Sequence, residues 1–148
     1  MNVVFFTSLI EDAKMIREKV FMEEQGFQNE FDDIDAKALH LVLYQNQQPI
    51  GCARMFEEAD AMTFGRIAVL KEYRQLHLGS LILQQLEAKA KELGFHKVQL
   101  SAQVRASDFY FKNGYMKEGE EYLGEYCPHI HMIKRIWVCQ EKCVSNFK

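Results

Sequence analysis

The spacing of hydrophobic residues divides most of the chain into short strands. Residues 2–6 form an apolar run, and residues 39–44 alternate around Leu39, Leu41 and Leu43. Period-two alternation is typical of a strand with at least one buried face. Further strands are predicted over 50–57, 62–69 and 98–100, and within 115–123 and 130–138.

Other segments have the spacing of helices. Ser8 and Glu11 are separated as in a capping box and predict a helix start, followed by Ala13, Ile16 and Val20 on one face. A longer amphipathic helix is predicted from about 78 to 93, capped by a glycine, and a short helix over 105–112.

The order of these elements predicts the fold class. Strands dominate the first half, and a β-α-β-α-β run follows, which favours an α/β (α+β) fold with a mixed sheet and helices on both faces. The sequence has no repeat, low-complexity tract or linker. We therefore predict a single domain over 1–138 and a polar C-terminal tail over 139–148.

Composition restricts the function classes. The 148 residues are 48% hydrophobic and 26% charged with a net charge of −3, as in a globular protein large enough for one core. A nucleic-acid-binding protein usually has a basic footprint, which is missing here. No apolar stretch is long enough for a bilayer and no basic leader precedes one, so a cytoplasmic protein without membrane contact is expected. Its four cysteines are unevenly spaced, which favours reduced thiols.

The strand-to-helix junction at residues 64–80 predicts an anion site. The apolar strand ends near Val69, a polar loop follows, and the long helix then begins. A helix start leaves unpaired N–H groups and a positive dipole end, which together bind phosphates. Gly79 would allow a close approach of the backbone, and Arg74 would add charge. An ordinary βα turn with a surface arginine is the alternative interpretation of the junction alone.

Two motifs in this order resemble those of the GNAT superfamily of acyl-CoA-dependent N-acetyltransferases. The run Arg74-x-x-His77-x-Gly79-Ser80 is similar to the family's pyrophosphate loop, Gln/Arg-x-x-Gly-x-Gly/Ala, with His77 at the first glycine. The segment from Ala106 to Tyr115 is similar to its Ala-x-x-x-Tyr-x-x-x-Gly-Phe motif. Further positions resemble the ElaA-like subgroup, namely Arg17-x-x-Val20-Phe21-x-x-Glu24-Gln25, Glu30-x-Asp32-x-x-Asp35, His40, Ala53-Arg54, Ala102-Gln103 and Pro128-His129-x-x-Met132.

The resemblance implies a mostly antiparallel GNAT-type sheet with a central parallel splayed pair, and acetyl-CoA as the acyl donor. The backbone from Ile67 to Val69 would bind the pantetheine, with the Val69 N–H on the thioester carbonyl. The implied cofactor-binding residues are Ile67, Ala68, Val69, Arg74, Gln75, Leu76, His77, Leu78, Gly79, Ser80, Gln103 and Tyr110. No metal is expected.

Catalysis needs a proton donor for the thiolate and an acceptor for the amine proton. By resemblance, Tyr110 is the candidate acid, although a half-buried structural tyrosine is the alternative. Many family members carry a glutamate base on the strand equivalent to 62–69, where this chain has Arg66. His129 and Glu125, near the C-terminal strands, are the candidate bases.

Three other features leave alternatives open. His129, His131 and the pair Cys139 and Cys143 could hold zinc, although strand alternation and a loose tail explain them better. The acidic residues between 23 and 35 either recruit a cationic amine or form a solvated loop. Cys127 is interpreted as an inert thiol, because direct transfer needs no acyl-enzyme.

The leading hypothesis is direct transfer of an acetyl group from acetyl-CoA to a primary amine of a small molecule or peptide. A non-catalytic acyl-CoA-binding module is the alternative, motivated by the missing strand carboxylate and by His77. An acyl-homoserine-lactone-type synthase that uses a carrier protein is the third, and the CoA loop argues against it. A homodimer is the assembly considered, since dimers are the commonest symmetric oligomers.

Overall fold

The computed structural model describes residues 1–124 and 126–136. The strands are β1 (Asn2–Phe6), β2 (Leu39–Gln45), β3 (Gln48–Glu58), β4 (Ala61–Val69), β5 (Lys97–Gln103), β6 (Met116–Leu123) and β7 (Pro128–Arg135). The α-helices are α1 (Glu11–Arg17), α2 (Leu78–Glu92) and α3 (Ser107–Lys112). A π-helix spans Glu18–Glu24, and 3₁₀ turns span Asp33–Ala36, Lys71–Tyr73 and Val104–Ala106.

The seven strands form one sheet in the order β1-β2-β3-β4-β5-β7-β6. Every neighbouring pair is antiparallel except β4 and β5, which run parallel in the centre. The predicted mostly antiparallel sheet with a central parallel pair is therefore confirmed.

The alternation along β2 shows that both faces of the sheet are covered. Leu41 and Leu43 belong to the core that α2 completes, whereas Val42 between them packs in the core that α1 completes. All three side chains are fully buried. A strand buried on both sides needs a helix on each face, so the prediction of helices on both faces is confirmed.

A β-bulge interrupts β4 where it matters for the site. Arg54 on β3 lies opposite Gly65, and Cys52 lies opposite Ala68, so β4 carries one extra residue in this interval. Arg66 takes up the extra length with a φ of 51°. Phe64 packs in the α2 core and Ala68 in the α1 core, which shows that the bulge reverses the alternation.

The predicted capping box at the first helix is wrong. The residue before α1 is Ile10, it makes no side-chain cap, and the helix begins at Glu11 itself. The α-helical geometry ends at Arg17, and Val20 lies in the π-helix that follows. Ala13, Ile16 and Val20 are nevertheless buried together, as the periodicity predicts.

The long helix α2 begins and ends close to its predicted limits. Its core-facing residues Ile82, Leu86 and Ala90 are fully buried. Gly94, just past its end, has a φ of 92°, the left-handed conformation of a helix C-terminus. The predicted tail over 139–148, with Cys139 and Cys143, lies outside the described residues. In the described part of the chain, no helix has the length and apolar character needed to cross a membrane.

Candidate active site

The parallel strands β4 and β5 separate shortly after they pair. Their register joins Met62 to Val98, and the last pair is Phe64 with Leu100. The β4 bulge follows immediately, and it bends the strand away from its neighbour. The edge of β4 from Ile67 to Val69 therefore faces a gap instead of β5, and two cavities open there.

The first cavity, here called the α2 cavity, has a volume of about 630 Å³. It lies between the end of β4, the loop that leads into α2, and α3. Its lining comprises Ile67, Ala68, Val69, Tyr73, Arg74, Gln75, His77, Leu78, Gly79, Ser80, Ala106, Phe109, Tyr110, Lys112 and Asn113. Most of the sequence-predicted cofactor residues are brought together here. Leu76, by contrast, is 56% exposed and is not part of the lining.

The first residues of α2 and the loop before them line the α2 cavity. His77 has φ 61° and ψ 23°, a left-handed conformation that glycine adopts most readily. His77 thus adopts the conformation expected at the loop glycine it replaces. The first amide bonded back to the loop is that of Leu81, to the His77 carbonyl at 3.2 Å. The N–H groups of Leu78, Gly79 and Ser80 precede it, and such groups at a helix start lack intrahelical partners.

Arg74 lines the α2 cavity and also has partners within the protein. Its Nη2 donates to Glu24 at 2.7 Å and its Nε donates to the Val69 carbonyl at 2.9 Å. The hydrogen bond with Glu24 raises the pKa of Arg74. Since its charge is already paired, Arg74 mainly fixes the loop against β4 and the π-helix. Lys112 is a lining cation that the sequence analysis missed.

Gly79 is needed for packing as well as for any ligand. A Cβ built on it would lie 2.9 Å from the Phe109 ring. That distance is below normal contact, so the absence of a side chain lets α3 lie against the start of α2. The expectation that Gly79 serves the close approach of an anion alone is therefore incomplete.

Tyr110 lies at the junction of the two cavities, because it lines both. Its ring contacts Phe109 and Tyr115 edge to face. Burial raises the pKa of Tyr110 to about 12, which keeps its hydroxyl protonated at neutral pH. Tyr115 is the structural tyrosine of this region, fully buried and donating to Glu87 at 2.8 Å.

The second cavity, here called the bulge cavity, has a volume of about 200 Å³. It lies on the α1 side of the gap, and it is lined by Phe21, Gln25, Phe27, Glu30, Phe64, Gly65, Arg66, Ile67, Leu100, Ser101, Gln103, Ala106, Tyr110 and His129. A neighbouring space of about 200 Å³, the outer cavity, is lined by Phe27, Arg66, Ser101, Tyr122, Gly124, Tyr126 and His129. The shared residues Phe27, Arg66, Ser101 and His129 show that the two cavities adjoin.

Gln103, a predicted cofactor contact, lines the bulge cavity and not the α2 cavity. Its amide donates to Gln25 at 3.1 Å and its oxygen accepts from Arg105 at 2.8 Å. It therefore connects β5 to the end of the π-helix.

His129 lines the bulge cavity with one ring nitrogen engaged. Its Nδ1 lies 2.8 Å from the Cys127 carbonyl, which can only accept, so Nδ1 carries the proton. In the neutral ring, Nε2 then has a lone pair and can accept a proton. The geometry brings His129 and Tyr110 to the same cavity. Glu125, the other candidate base, lies outside the described residues.

Three acids of the acidic segment, Glu30, Asp32 and Asp35, bind the protein's own arginines, so for them the interpretation as a solvated loop is wrong. Arg17 donates to Glu30 at 2.9 Å and to Asp35 at 2.8 Å, and all three are buried. Arg54 donates to Asp35 at 2.9 Å and to Asp32 at 2.7 Å. These residues and Arg66 form what we call the arginine cluster, with three positive and three negative side chains. The sequence spacing of acids did not reveal it, because the partners are distant in the chain.

The pKa values of two cluster acids shift in opposite directions. Burial acts to raise the pKa of Asp35, but hydrogen bonds and charge from Arg17 and Arg54 outweigh it and hold the pKa at about 2. For Glu30 burial wins, so its pKa is raised even beside Arg66 and Arg17. Burial therefore disfavours the charged form of Glu30, whereas the charged form of Asp35 is favoured.

The remaining sequence candidates have ordinary partners. His131 pairs with Glu118 at 2.9 Å and with Gln99 at 3.1 Å. Within residues 1–124 and 126–136, no group of histidines, cysteines and acids is arranged to hold a metal.

Cys127 is a half-buried free thiol. Burial raises the pKa of Cys52 to about 12, so that thiol stays protonated.

Comparison with known proteins agrees with this architecture. The family profile described as Acetyltransferase (GNAT) domain matches residues 11–136. The protein named N-acetyltransferase YjcF of Bacillus subtilis is 34% identical, with 84% of this chain and 91% of that protein covered. ElaA of Escherichia coli is 28% identical over 82% of this chain and 84% of its own length.

A solved structure with 31% sequence identity has the same fold. The crystal structure of a protein described as an N-acetyltransferase from Lactobacillus plantarum superposes with a TM-score of 0.86 at 31% identity, covering 92% of this chain and 98% of that one. On these matches, together with the splayed parallel pair and the loop at the start of α2, the chain belongs to the GNAT family of acyl-CoA-dependent N-acyltransferases.

Proposed function

We propose that this enzyme moves an acetyl group from acetyl-CoA to a primary amine by direct transfer, with no acyl-enzyme intermediate. The observation that carries the proposal is that the α2 cavity and the bulge cavity meet at Ile67, Ala106 and Tyr110. A donor in one cavity and an acceptor in the other would bring their reactive groups together at this junction. Holding two reactants in place in this way lowers the entropic part of the barrier.

The α2 cavity suits the CoA portion. The N–H groups at the start of α2 would bind the diphosphate at the positive end of the helix dipole. The free edge of β4 from Ile67 to Val69 would bind the pantetheine arm as an added strand. The Val69 N–H would stabilise the oxyanion, a large term in acyl transfer. Because a carrier protein does not present a nucleotide diphosphate, this cradle favours free CoA over a carrier-bound donor.

His129 and Tyr110 would transfer the two protons of the reaction. The amine nitrogen attacks the thioester carbonyl carbon and gives its proton to Nε2 of His129, directly or through a water. The C–S bond breaks, and the departing thiolate takes its proton from the Tyr110 hydroxyl. Both side chains line the bulge cavity, which supports a shared role in the transfer.

The test is release of free CoA thiol from acetyl-CoA with a panel of primary amines, followed by mass analysis of the acetylated products. We expect time-dependent thiol release with at least one amine. The mass of that amine should increase by about 42 Da, because an acetyl group replaces one hydrogen. His129→Ala should slow the release at saturating acetyl-CoA. Tight acetyl-CoA binding without turnover on any amine would instead identify a non-catalytic binding module.

A further inference from the structure

Arg66 is the arginine of the cluster that reaches the acceptor side of the site. It lines both the bulge cavity and the outer cavity. Its side chain is 26% exposed, whereas those of Arg17 and Arg54 are 1% and 5% exposed. It directly precedes Ile67, a residue of the junction between the cavities. A ligand in the bulge cavity therefore lies against this guanidinium.

The charge of Arg66 is only partly compensated by its neighbours. Glu30 approaches its Nε at 2.7 Å, but the same carboxylate oxygen also accepts from Arg17. The contact of Arg66 Nη2 with Asp32 is long, at 3.4 Å. The bonds to described residues use Nε and Nη2, which leaves Nη1 for another acceptor. Burial, together with the nearby charges of Arg54 and Arg17, lowers the pKa of Arg66 despite Glu30.

We propose that the acceptor is a primary amine that also carries a carboxylate, and that Arg66 binds this carboxylate. The inference rests on the proposed function, because it assigns the acceptor of that same site. The planar guanidinium fork matches a carboxylate, and such pairs are among the stronger hydrogen bonds in proteins. The carboxylate supplies the negative charge that Arg66 lacks, while the amine extends to the junction at Ile67 and Tyr110.

The other lining groups indicate the rest of the acceptor. Phe27 stacks on Tyr126 with ring centroids 4.6 Å apart, and Tyr122 stacks on His129 at 6.1 Å. These rings form an apolar wall beside Arg66, which suits an apolar or aromatic side chain. A polycationic amine is a poor fit. Glu30 is the only carboxylate among the described residues that line these two cavities, and two arginines already bind it.

The experiment compares L-phenylalanine with L-phenylalanine amide as acceptors for the full-length enzyme. The two differ only in the carboxylate. Release of free CoA thiol gives kcat/KM for each acceptor. Binding of acetyl-CoA is measured separately by titration. The wild type should prefer the carboxylate form, and Arg66→Gln should lower the ratio of the two kcat/KM values by about tenfold or more. The different basicities of the two amines cancel when the ratio of the variant is compared with that of the wild type.

Two further variants separate recognition from a general disturbance of the cluster. Arg66→Lys keeps the positive charge but loses the fork, so it should keep part of the preference. Asp32→Asn removes a competitor of the ligand carboxylate at a residue that is 38% exposed, so the ratio should stay or rise. Melting curves report whether each variant folds. If Arg66→Gln is unfolded, the wild-type ratio and the two other variants decide.

Equal kcat/KM for both acceptors in the wild type would overturn the inference, and so would an equal loss on both in Arg66→Gln. Turnover of the amide alone would overturn it while leaving the proposed acetyl transfer intact. If acetyl-CoA neither binds nor reacts with any amine, the proposed function fails as well. A ratio that falls in Asp32→Asn would reduce Arg66 to a structural member of the cluster.

Discussion

The two cavities that meet at Tyr110 are built from different materials. The α2 cavity is lined mainly by one continuous piece of chain, from the end of β4 to the start of α2, and its predicted donors are backbone N–H groups. The bulge cavity is assembled from segments near residues 21–30, 64–67, 100–106 and 129, and its polar groups are side chains. A backbone site depends on local conformation, whereas a side-chain site depends on long-range packing.

The two cavities therefore respond differently to a change of residue. A left-handed residue before a helix can be provided by glycine or, as His77 shows, by another residue. The backbone donors survive such a change. The bulge cavity instead depends on which charges reach it, and here the extra residue of β4 is an arginine paired with Glu30. Under the proposed function, backbone geometry would hold the donor and side-chain charge would select the acceptor.

The largest expected effect is at the junction. Tyr110→Phe keeps the ring contacts with Phe109 and Tyr115 but removes the hydroxyl. If Tyr110 protonates the thiolate, kcat should fall by about 10²–10⁴-fold, the usual size of a general acid–base contribution. Acetyl-CoA affinity should change little. Steady-state kinetics at saturating acetyl-CoA and a binding titration measure the two quantities; a variant with full kcat would make Tyr110 a packing residue.

The second prediction tests whether the arginine cluster supports the bulge cavity. Arg17→Met removes one of the two arginine partners of both Glu30 and Asp35, which are buried, so the free energy of unfolding should fall by about 3–5 kcal/mol. Glu24→Gln is the matched control, since its pair with Arg74 is about one-third exposed and should contribute no more than about 1 kcal/mol. Urea unfolding measures both, and similar losses would show that burial does not set the strength of these pairs.

More of the fold than of the bulge cavity could be predicted from the sequence. The strands and α2 follow from local periodicity, and the loop before α2 follows from local motif spacing. The β4 bulge could not be predicted, because a positive φ at Arg66 has no sequence signal in a residue other than glycine. The cluster was missed because Arg17, Asp35 and Arg54 meet only in the folded chain. The cavity that Gln103 lines could not be predicted either, because it depends on how β4 and β5 separate in the folded chain.

The third prediction concerns the stability of the fold at low pH. The pKa of Asp35 is lowered in the fold to about 2 from an ordinary value of 3.8, so its ionised form is favoured by folding. Its contribution is present above pH 3.8 and is lost as the pH falls from there towards 2. The shift corresponds to about 2 kcal/mol. In urea unfolding between pH 5 and 2, the stability of the wild type should therefore approach that of Asp35→Asn; a constant difference between the two would contradict this assignment.

The smallest expected effects come from the loop of the α2 cavity. Gly79→Val inserts atoms where Phe109 lies, and such overpacking typically costs about 1–3 kcal/mol. His77→Gly relieves a left-handed conformation that costs an ordinary residue about 1–2 kcal/mol, so this variant should be at least as stable as the wild type. Melting curves with and without acetyl-CoA compare the two. A destabilised His77→Gly would mean that the imidazole has a structural role of its own.

The most direct test of the account is a calorimetric titration of the enzyme with acetyl-CoA and with S-acetylpantetheine, which lacks the nucleotide diphosphate. If backbone donors at the start of α2 bind the diphosphate, acetyl-CoA should bind about 100-fold more tightly or better, as expected for two or more hydrogen bonds to a charged group. Equal affinity for the two ligands, or no binding of acetyl-CoA, would contradict the assignment of the α2 cavity to CoA.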